Sequence, residues 1–401
     1  MAIWATVPLG DVLTFQRGFD ITKDEQRDGP FPVISSSGSK SSHAEFKVRG
    51  PGVIIGRKGS LGTVFYSDGN YWPHDTTLWI KDFHGNHPRF AYYFLQTMGF
   101  ERLDAGASNP SLNRNHIHTI PVLWPLLPVQ QRIAGILSAY DELIENSQRR
   151  IRILEAMARA LYREWFVHFR FPGHEHHPRI ASPLGEIPQG WEAIAFTEIA
   201  DVLSGGTPKT STPEYWDGEI PFFTPRDAPD CFYVEDADKH VTELGLSKCA
   251  SQLYPPDTVF ITARGTVGKV ALPSVPMAMN QSCYALRGKS GISQRFLFLM
   301  TLQQVEYLKT NTGGATFDTI VVDTFRRMQV AKPPHDLIAA FTRNVDAVFE
   351  QVNTLQCQVR NLRRSRDLLL PRLLSGQIEV EAIPDPDSLF ANSESGREVS
   401  T

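Results

Sequence analysis

A long heptad repeat constrains the fold of this chain more than any other feature of its sequence. The stretch Val129–His168 contains no proline and a single glycine. Its apolar residues recur at alternating spacings of four and three, which places them on one seam of a helix. The seam residues are Ile133, Leu137, Tyr140, Ile144, Ile151, Leu154, Ala158, Leu161 and Trp165, with Ser147 as an interruption. A helix of about forty residues is roughly 60 Å long, so it needs a partner of similar length.

A second stretch has the same repeat and can provide that partner. In His335–Leu370 the seam is interrupted at Arg366. Prolines precede both stretches, and proline is tolerated at a helix start because its missing N–H is not needed there. Since both seams are long and narrow, pairing within the chain is favoured over two unrelated core helices. The second seam comprises Ile338, Phe341, Val345, Val348, Val352, Leu355, Val359, Leu362 and Leu369.

The remaining sequence repeats one order of elements twice. Runs of β-branched residues bounded by Gly and Pro favour strands and hairpins, and residues 88–105 favour an amphipathic helix. Several landmarks recur at one offset of 206 residues, which indicates a tandem duplication. They are Gly59 and Gly62 with Gly265 and Gly268, and Arg89–Phe90 with Arg295–Phe296.

The predicted fold class is therefore α+β. Two duplicated mixed α/β globules are expected, separated by two long helices that form an antiparallel coiled coil. A segment rich in Pro, Gly and His predicts a linker, and a polar C-terminal tail predicts disorder. The predicted boundaries are 1–126 for the first globule, 127–170 for the first long helix, 171–190 for the linker, 191–332 for the second globule, 333–376 for the second long helix and 377–401 for the tail.

Composition excludes several classes of protein. Hydrophobic residues make up 41% and charged residues 21% of the 401 residues, which is typical of a soluble globular protein. No apolar run is long enough for a membrane span, and no signal peptide is recognisable at the N-terminus. The four cysteines have neither CxxC nor metal spacing, so a reduced, cytoplasmic compartment is expected. A net charge of −4 argues against a free-standing nonspecific nucleic-acid binder but permits a locally basic face.

Two glycine-rich loops, GRKGSLG at 56–62 and TARGTVG at 262–268, carry candidate functional residues. Both lack the G-K-[ST] sequence of a nucleotide-binding phosphate loop. Two interpretations remain open. The loops can be tight hairpins with glycines at positive φ, or they can also present side chains to DNA phosphates and guanine edges. The side chains concerned are Arg57, Lys58, Ser60, Arg264 and Thr266.

Other polar loops supply hydroxyl, amide and cationic groups that suit phosphates or base edges but are also ordinary in solvated loops. These candidates are Ser35, Ser36, Ser37, Asn113, Arg114, Asn115, Thr207, Lys209, Thr210, Ser211, Thr224 and Arg226. No catalytic set is recognisable. The HEHH sequence at 174–177 is too tightly spaced for the usual metal ligands. The sequence therefore predicts no catalytic residue and no metal site.

These residues, in this order, resemble the specificity subunit of a Type I restriction–modification system over nearly the whole chain. The segment 109–166 resembles that family's first central region. Residues 203–227 resemble the opening of its target-recognition domains, and 51–66 with 74–80 resemble the glycine hairpin and following strand. The second long helix has lost the glutamine-rich start seen in VQQRIA but keeps the LLLPRLLSGQIEV ending at 368–380.

The resemblance implies a non-catalytic, cytoplasmic DNA-binding subunit in host defence. Each globule would read one half of a bipartite target in double-stranded DNA, and the coiled coil would set the spacing between the halves. The coiled coil would also dock two modification subunits, which use S-adenosylmethionine to methylate adenine. Restriction subunits that use ATP and magnesium would join them, and this chain would hold no cofactor. The alternative is a coiled-coil scaffold whose globules bind proteins; selection of DNA from random duplexes separates the two.

Overall fold

The protein divides into two compact units. The computed structural model describes residues 4–102, 111–311 and 319–380. Unit 1 comprises Met1–Glu145 and Asn361–Thr401, and unit 2 comprises Asn146–Arg360. Each long helix therefore contributes one part to each unit. The predicted disordered tail lies outside the described residues from 381 onward, as do residues 103–105 of the helix predicted over 88–105.

Unit 1 is built from three small sheets and short helices. The strands are β1 (Trp4–Pro8), β2 (Thr14–Arg17), β3 (Phe31–Ser35), β4 (Gly38–His43), β5 (Gly52–Gly56), β6 (Val64–Ser67), β7 (Trp72–Pro73), β8 (Thr77–Asp82) and β9 (Pro121–Pro125). A four-stranded antiparallel sheet has the order β2-β8-β5-β6, a three-stranded sheet has the order β4-β3-β7, and β1 pairs with β9. The helices are α1 (Leu9–Val12), α2 (Pro88–Gln96), α3 (Arg114–His118) and the first part of α4 (Leu127–Tyr162).

The core of unit 1 packs the sheet against helices from both parts of its chain. Strand β5 is buried at every position, as its apolar β-branched sequence requires. Its core cluster includes Phe90 of α2, Ile133 and Leu137 of α4, and Leu373 from the second long helix. Helix α2 is shorter than predicted. It ends at Gln96 because Gly99 adopts φ +61°, a left-handed conformation that stops an α-helix.

Unit 2 repeats this architecture with additions. The strands are β10 (Arg179–Ser182), β11 (Gly185–Pro188), β12 (Glu192–Ala195), β13 (Ala200–Ser204), β14 (Trp216–Phe223), β15 (Tyr233–Val234), β16 (His240–Val241), β17 (Val259–Thr262), β18 (Val270–Pro273), β19 (Ala278–Met279), β20 (Cys283–Gly288) and β21 (Gln329–Lys332). Its five-stranded sheet has the order β13-β20-β17-β18-β15, and its three-stranded sheet has the order β16-β14-β19; β12 pairs with β21 and β10 with β11. The helices are α5 (Phe196–Ile199), α6 (Glu243–Ser247), α7 (Gln294–Asn311), α8 (Val322–Arg327) and parts of α4 and of α9 (His335–Leu374).

The duplication is visible in the strand register. In unit 1, β2 and β5 both pair with β8 at Leu78, opposite Arg17 and Ile55. In unit 2, β13 and β17 both pair with β20 at Tyr284, opposite Ser204 and Ile261. Leu78 and Tyr284 are 206 residues apart, so the offset found in the sequence is also the offset between equivalent strands.

The two long helices form the predicted antiparallel coiled coil. In unit 1, Asp141 of α4 accepts a hydrogen bond from Arg366 of α9 at 2.6 Å and another from Tyr93, also at 2.6 Å. In unit 2, Tyr162 packs on Phe341, with ring centroids 6.0 Å apart. From the first contact to the second, the residue number rises in α4, from 141 to 162, and falls in α9, from 366 to 341, so the helices run antiparallel. Arg366, which interrupts the heptad repeat, is thus held by an ion pair to the other helix.

The predicted seam residues are all buried or half-buried in the structure. Those that are buried are Ile133, Leu137, Ile144, Ile151, Ala158, Trp165, Ile338, Phe341, Val345, Val352, Leu355 and Val359. Those that are half-buried are Tyr140, Leu154, Leu161, Val348, Leu362 and Leu369. Helix α4 ends at Tyr162 and continues as a π-helical turn, Arg163–Val167, which turns both Trp165 and Phe166 inward. Within the described ranges, no helix is both long and apolar enough to cross a membrane.

The segment predicted as a linker forms a β-hairpin. Strands β10 and β11 pair antiparallel between residues 179 and 188, and Ile187 is buried. The HEHH sequence lies just before it in a short 3-10 helix. There His174 bonds to the carbonyl oxygen of Phe171 at 2.8 Å, and the ring of Phe171 stacks on Trp191 at 5.7 Å. Composition indicated only a connection, because the hairpin depends on packing that a Pro- and Gly-rich segment does not reveal.

Candidate nucleic-acid interface

Three loops meet at one end of the main sheet of unit 1. They are residues 35–38 after β3, the glycine loop 57–63 between β5 and β6, and residues 74–76 before β8. The N–H of Arg57 donates to the carbonyl oxygen of Thr76 at 2.8 Å. The hydroxyl of Thr63 donates to the carbonyl oxygen of Ser36 at 2.9 Å, and the N–H of Ser36 donates to the hydroxyl of Thr76 at 3.3 Å. We call this surface loop cluster 1.

A fourth segment, which leads into α3, joins loop cluster 1. The N–H of Leu112 donates to the carbonyl oxygen of Arg57 at 3.0 Å, and Lys58 forms a β-bridge with Ser111. Asn113 follows directly and caps α3, because its side-chain oxygen accepts the N–H of Asn115 at 3.0 Å. The glycine loop and residues 111–118, proposed separately from the sequence, therefore lie side by side.

Unit 2 builds the same backbone frame. The N–H of Ala263 donates to the carbonyl oxygen of Ser282 at 2.7 Å, and the N–H of Ile320 donates to the carbonyl oxygen of Ala263 at 3.0 Å. These bonds reproduce those of Arg57 in unit 1. The turn after β14 lies beside the glycine loop, since a Cβ placed on Gly265 would be 3.9 Å from the Cβ of Pro225. We call this surface loop cluster 2.

The glycine loops are tight turns with glycines at positive φ, as one of the two interpretations predicted. Gly62 has φ +74° and Gly268 has φ +76°. A Cβ on Gly62 would lie 2.9 Å from the Cβ of Phe100, and one on Gly268 would lie 2.8 Å from Cγ1 of Val305. Close packing and backbone conformation both require glycine at these positions. This requirement is compatible with presentation of the intervening side chains to a ligand.

The predicted binding residues fall into three groups by exposure. The exposed ones are Ser37, Ser60, Asn113, Arg114, Asn115, Lys209, Thr210, Ser211, Arg226, Arg264 and Thr266. Ser36 is buried, and those that are half-buried are Ser35, Arg57, Lys58, Thr207 and Thr224. The exposed group includes both cations and hydroxyls on the loop clusters, a mixture that suits contact with phosphates and bases.

Some of these side chains also hold the loops in place. The hydroxyl of Thr224 donates to a carboxylate oxygen of Asp227 at 2.6 Å, which closes the turn after β14. The hydroxyl of Ser35 donates to the carbonyl oxygen of Gly38 at 3.0 Å. By contrast, Nη1 of Arg57 is buried and has no hydrogen-bond partner within the part of the chain that the structure describes. This is uncommon, because buried polar groups are generally hydrogen-bonded.

Behind loop cluster 1, a histidine links α3 to the edge of the sheet. The N–H of Phe15 in β2 donates to Nε2 of His118 at 2.9 Å. Burial lowers the pKa of His118, and the nearby charge of Arg114 lowers it further. The neutral imidazole is therefore the form that the fold prefers, and it keeps α3 against β2.

Sequence reasoning missed a group of charged residues where the end of β2 meets loop cluster 1. Nη2 of Arg17 lies 2.8 Å from Oδ2 of Asp75, and Nδ1 of His74 lies 3.0 Å from Oδ1 of Asp75. Ligand atoms of Asp20, His74 and Asp75 lie within 4.8 Å of one another. Arg17 already neutralises Asp75, and the absence of a metal site stays a prediction. The HDTT sequence at 74–77 was noticed only for its strand, because nothing local indicates that Arg17 meets Asp75.

The fold and the site together define a duplicated α+β protein in which one loop frame recurs with different side chains. The Type I restriction modification DNA specificity domain family matches residues 1–156 and 188–359. The chain belongs to this family.

Individual relatives agree with this assignment. The Type I restriction enzyme MjaIX specificity subunit of Methanocaldococcus jannaschii is 30% identical over 154 residues, which cover 37% of this chain and 36% of that protein. The HindI specificity subunit of Haemophilus influenzae is 23% identical over 327 residues, covering 67% of this chain and 71% of that protein. The crystal structure of the Type I restriction–modification S subunit from M. genitalium has a similar fold, with a TM-score of 0.63 and 16% identity over 93% of this chain and 96% of that one.

Proposed function

We propose that this chain is the sequence-specific DNA-binding subunit of a Type I restriction–modification complex, and that each loop cluster reads one half of a bipartite target. The observation that carries the proposal is the recurrence of one backbone frame with different side chains. Phosphate contacts position a protein on DNA, whereas side chains on base edges determine the sequence that it reads. Equivalent frames with different side chains suit two half-sites of different sequence.

The proposal assigns the chemistry to partner subunits. Two modification subunits with S-adenosylmethionine methylate adenine, and restriction subunits use ATP and magnesium. This chain supplies recognition alone, holds no cofactor and works in the cytoplasm. A net charge of −4 suits such an arrangement, because partner subunits can supply much of the positive charge around DNA.

The paired long helices set the spacing of the half-sites and dock the modification subunits. An apolar pair on α4 supports this docking role: Ile153 and Met157 are 51% and 56% exposed. They are four residues apart and therefore share one face of the helix. Exposed apolar neighbours on a helix that already has a coiled-coil partner favour contact with a further protein.

Methylation mapping tests the proposal. The chain would be expressed with its modification subunits in a host that lacks methylation of its own, and modified adenines would be located genome-wide. We expect one motif with two defined halves and a fixed undefined spacer. Replacement of residues 5–125 by the equivalent segment of a relative should change one half only. A motif without a spacer, or the same motif in cells without this chain, would contradict the proposal.

A further inference from the structure

The turn that precedes the last strand of each main sheet differs in chemistry between the two loop clusters. We infer that side chains at these turns read bases: Arg17, at the end of β2 and held by Asp75 of the turn, reads a guanine in one half-site, and Gln281 of the other turn, held by Thr207, reads an adenine in the other. The inference rests on the proposed function and assigns the side chains that determine the target sequence.

The two turns occupy equivalent places. In unit 1 the N–H of Gly18 donates to the carbonyl oxygen of Thr77 at 3.0 Å, and in unit 2 the N–H of Gly205 donates to that of Cys283 at 3.4 Å. The next residues repeat the match, since Phe19 bonds to Pro73 at 2.8 Å and Gly206 bonds to Met279 at 3.1 Å. Asp20 therefore corresponds to Thr207, and Asp75 corresponds to Gln281. The same backbone therefore carries two carboxylates, Asp20 and Asp75, in unit 1 and two neutral side chains, Thr207 and Gln281, in unit 2.

In unit 1, the geometry turns the guanidinium outward. The side chain of Arg17 is 54% exposed, whereas that of Asp75 is 18% exposed. The carboxylate thus lies behind the guanidinium and fixes one of its nitrogens, while His74 contacts the other carboxylate oxygen at 3.0 Å. The remaining N–H donors of Arg17 form a planar fork. Such a fork matches O6 and N7 of guanine in the major groove.

In unit 2, Gln281 stands at the position of Asp75 and presents a carboxamide. The hydroxyl of Thr207 donates to Oε1 of Gln281 and so holds the carboxamide in place. Gln281 is exposed, so its Nε2 and the second lone pair of Oε1 can meet a base. A glutamine in this orientation accepts from N6 and donates to N7 of adenine. Ser204 stands where unit 1 has Arg17, so this turn offers no guanidinium.

These groups suit base edges better than the DNA backbone. Cationic side chains supply most of the affinity for phosphates, and a neutral carboxamide contributes less to it. In unit 1 the carboxylates of Asp20 and Asp75 would repel phosphates, whereas the carboxylate of Asp75 orients the guanidinium of Arg17. The cations suited to phosphates, such as Lys58 and Arg264, lie on the neighbouring glycine loops.

Wild-type complex provides a test that needs no mutation. The complex with its modification subunits would be assayed on duplexes in which each purine of the mapped motif is replaced in turn by its 7-deaza analogue, which lacks the N7 acceptor. We expect a loss of about tenfold to hundredfold in methylation rate at one guanine of the half read by unit 1 and one adenine of the half read by unit 2. No sensitive purine of the stated type in a half-site would overturn the assignment for that unit.

Variants then identify the side chains. Gln281→Glu removes the donor to N7, and Arg17→Gln replaces the guanine fork by a carboxamide. We expect each to lose the wild-type rate and to abolish the 7-deaza effect in its own half-site only. The matched controls are Gln252→Glu, an exposed glutamine of unit 2, and Arg27→Gln, an exposed arginine paired with Glu45 in unit 1; both should keep the wild-type motif.

The outcomes separate this inference from the proposed function. If Gln281→Glu and Arg17→Gln methylate the unchanged motif at the wild-type rate, the base-reading assignment is wrong although the subunit still recognises DNA. If the wild-type complex yields no bipartite motif, the proposed function itself fails. Should a variant not fold, the 7-deaza panel on wild-type protein still decides the result.

Discussion

At the scale of single residues, the structure shows which polar side chains maintain the loop clusters and which face outward. Thr224, Ser35 and Asn113 were proposed as binding residues on composition, and each has a hydrogen bond that holds its own turn. Arg17 and Asp75 could not be found from the sequence because 58 residues separate them. Local pattern reveals loop chemistry, but pairs formed by the tertiary fold become visible only with coordinates.

His118 makes the stability of unit 1 depend on pH. Its pKa is lowered in the folded chain, so the unfolded chain binds a proton more readily. The contribution is present above the ordinary value of about 6.5 and is lost as the pH falls through the folded value. Between pH 7.5 and 5.5, we expect the free energy of unfolding of the wild type, measured in urea, to fall by about 1 kcal/mol more than that of His118→Gln. This is the typical net contribution of one hydrogen bond. Equal pH dependence in both proteins would contradict this.

At the scale of elements, periodicity predicted more than composition did. The heptad repeats predicted both long helices, and the spacing of the glycines predicted the duplicated hairpins. Both patterns are regular and can be read directly from the sequence. The hairpin of β10 and β11, the early end of α2 and the π-helical turn after Tyr162 were not predicted. Each of these depends on a single glycine or on aromatic packing, which leaves no periodic trace in the sequence.

Two glycines of one loop separate backbone strain from close packing. Gly265 and Gly268 have φ +79° and +76°, but only Gly268 has a neighbour, Val305, within 3 Å of an added Cβ. We expect Gly265→Ala to lower the free energy of unfolding by roughly 1–2 kcal/mol, the cost of a left-handed alanine, and Gly268→Ala to lower it further. Urea unfolding of the two variants measures the difference. Equal losses would show that the contact with Val305 relaxes without cost.

At the scale of the whole molecule, the proposed function links the long helices to the length of the DNA spacer. Each helix contributes residues to both compact units. Insertion of one heptad into both helices keeps the seam in phase and adds about 10 Å, close to three base pairs of B-DNA. We expect methylation mapping to show a longer spacer and unchanged half-sequences. Changed half-sequences, or an unchanged spacer, would contradict the role proposed for the coiled coil.

The repeated loop frame has a consequence for how such a protein diversifies. Several strand pairings and main-chain hydrogen bonds recur in the two units, while Asp75 in one corresponds to Gln281 in the other. Mutations at a few turn positions can therefore change the half-site sequence that one unit reads without changing the fold or the half-site read by the other unit. Recombination that exchanges one unit between relatives can also join existing half-site specificities in new pairs, because the shared architecture accepts either unit.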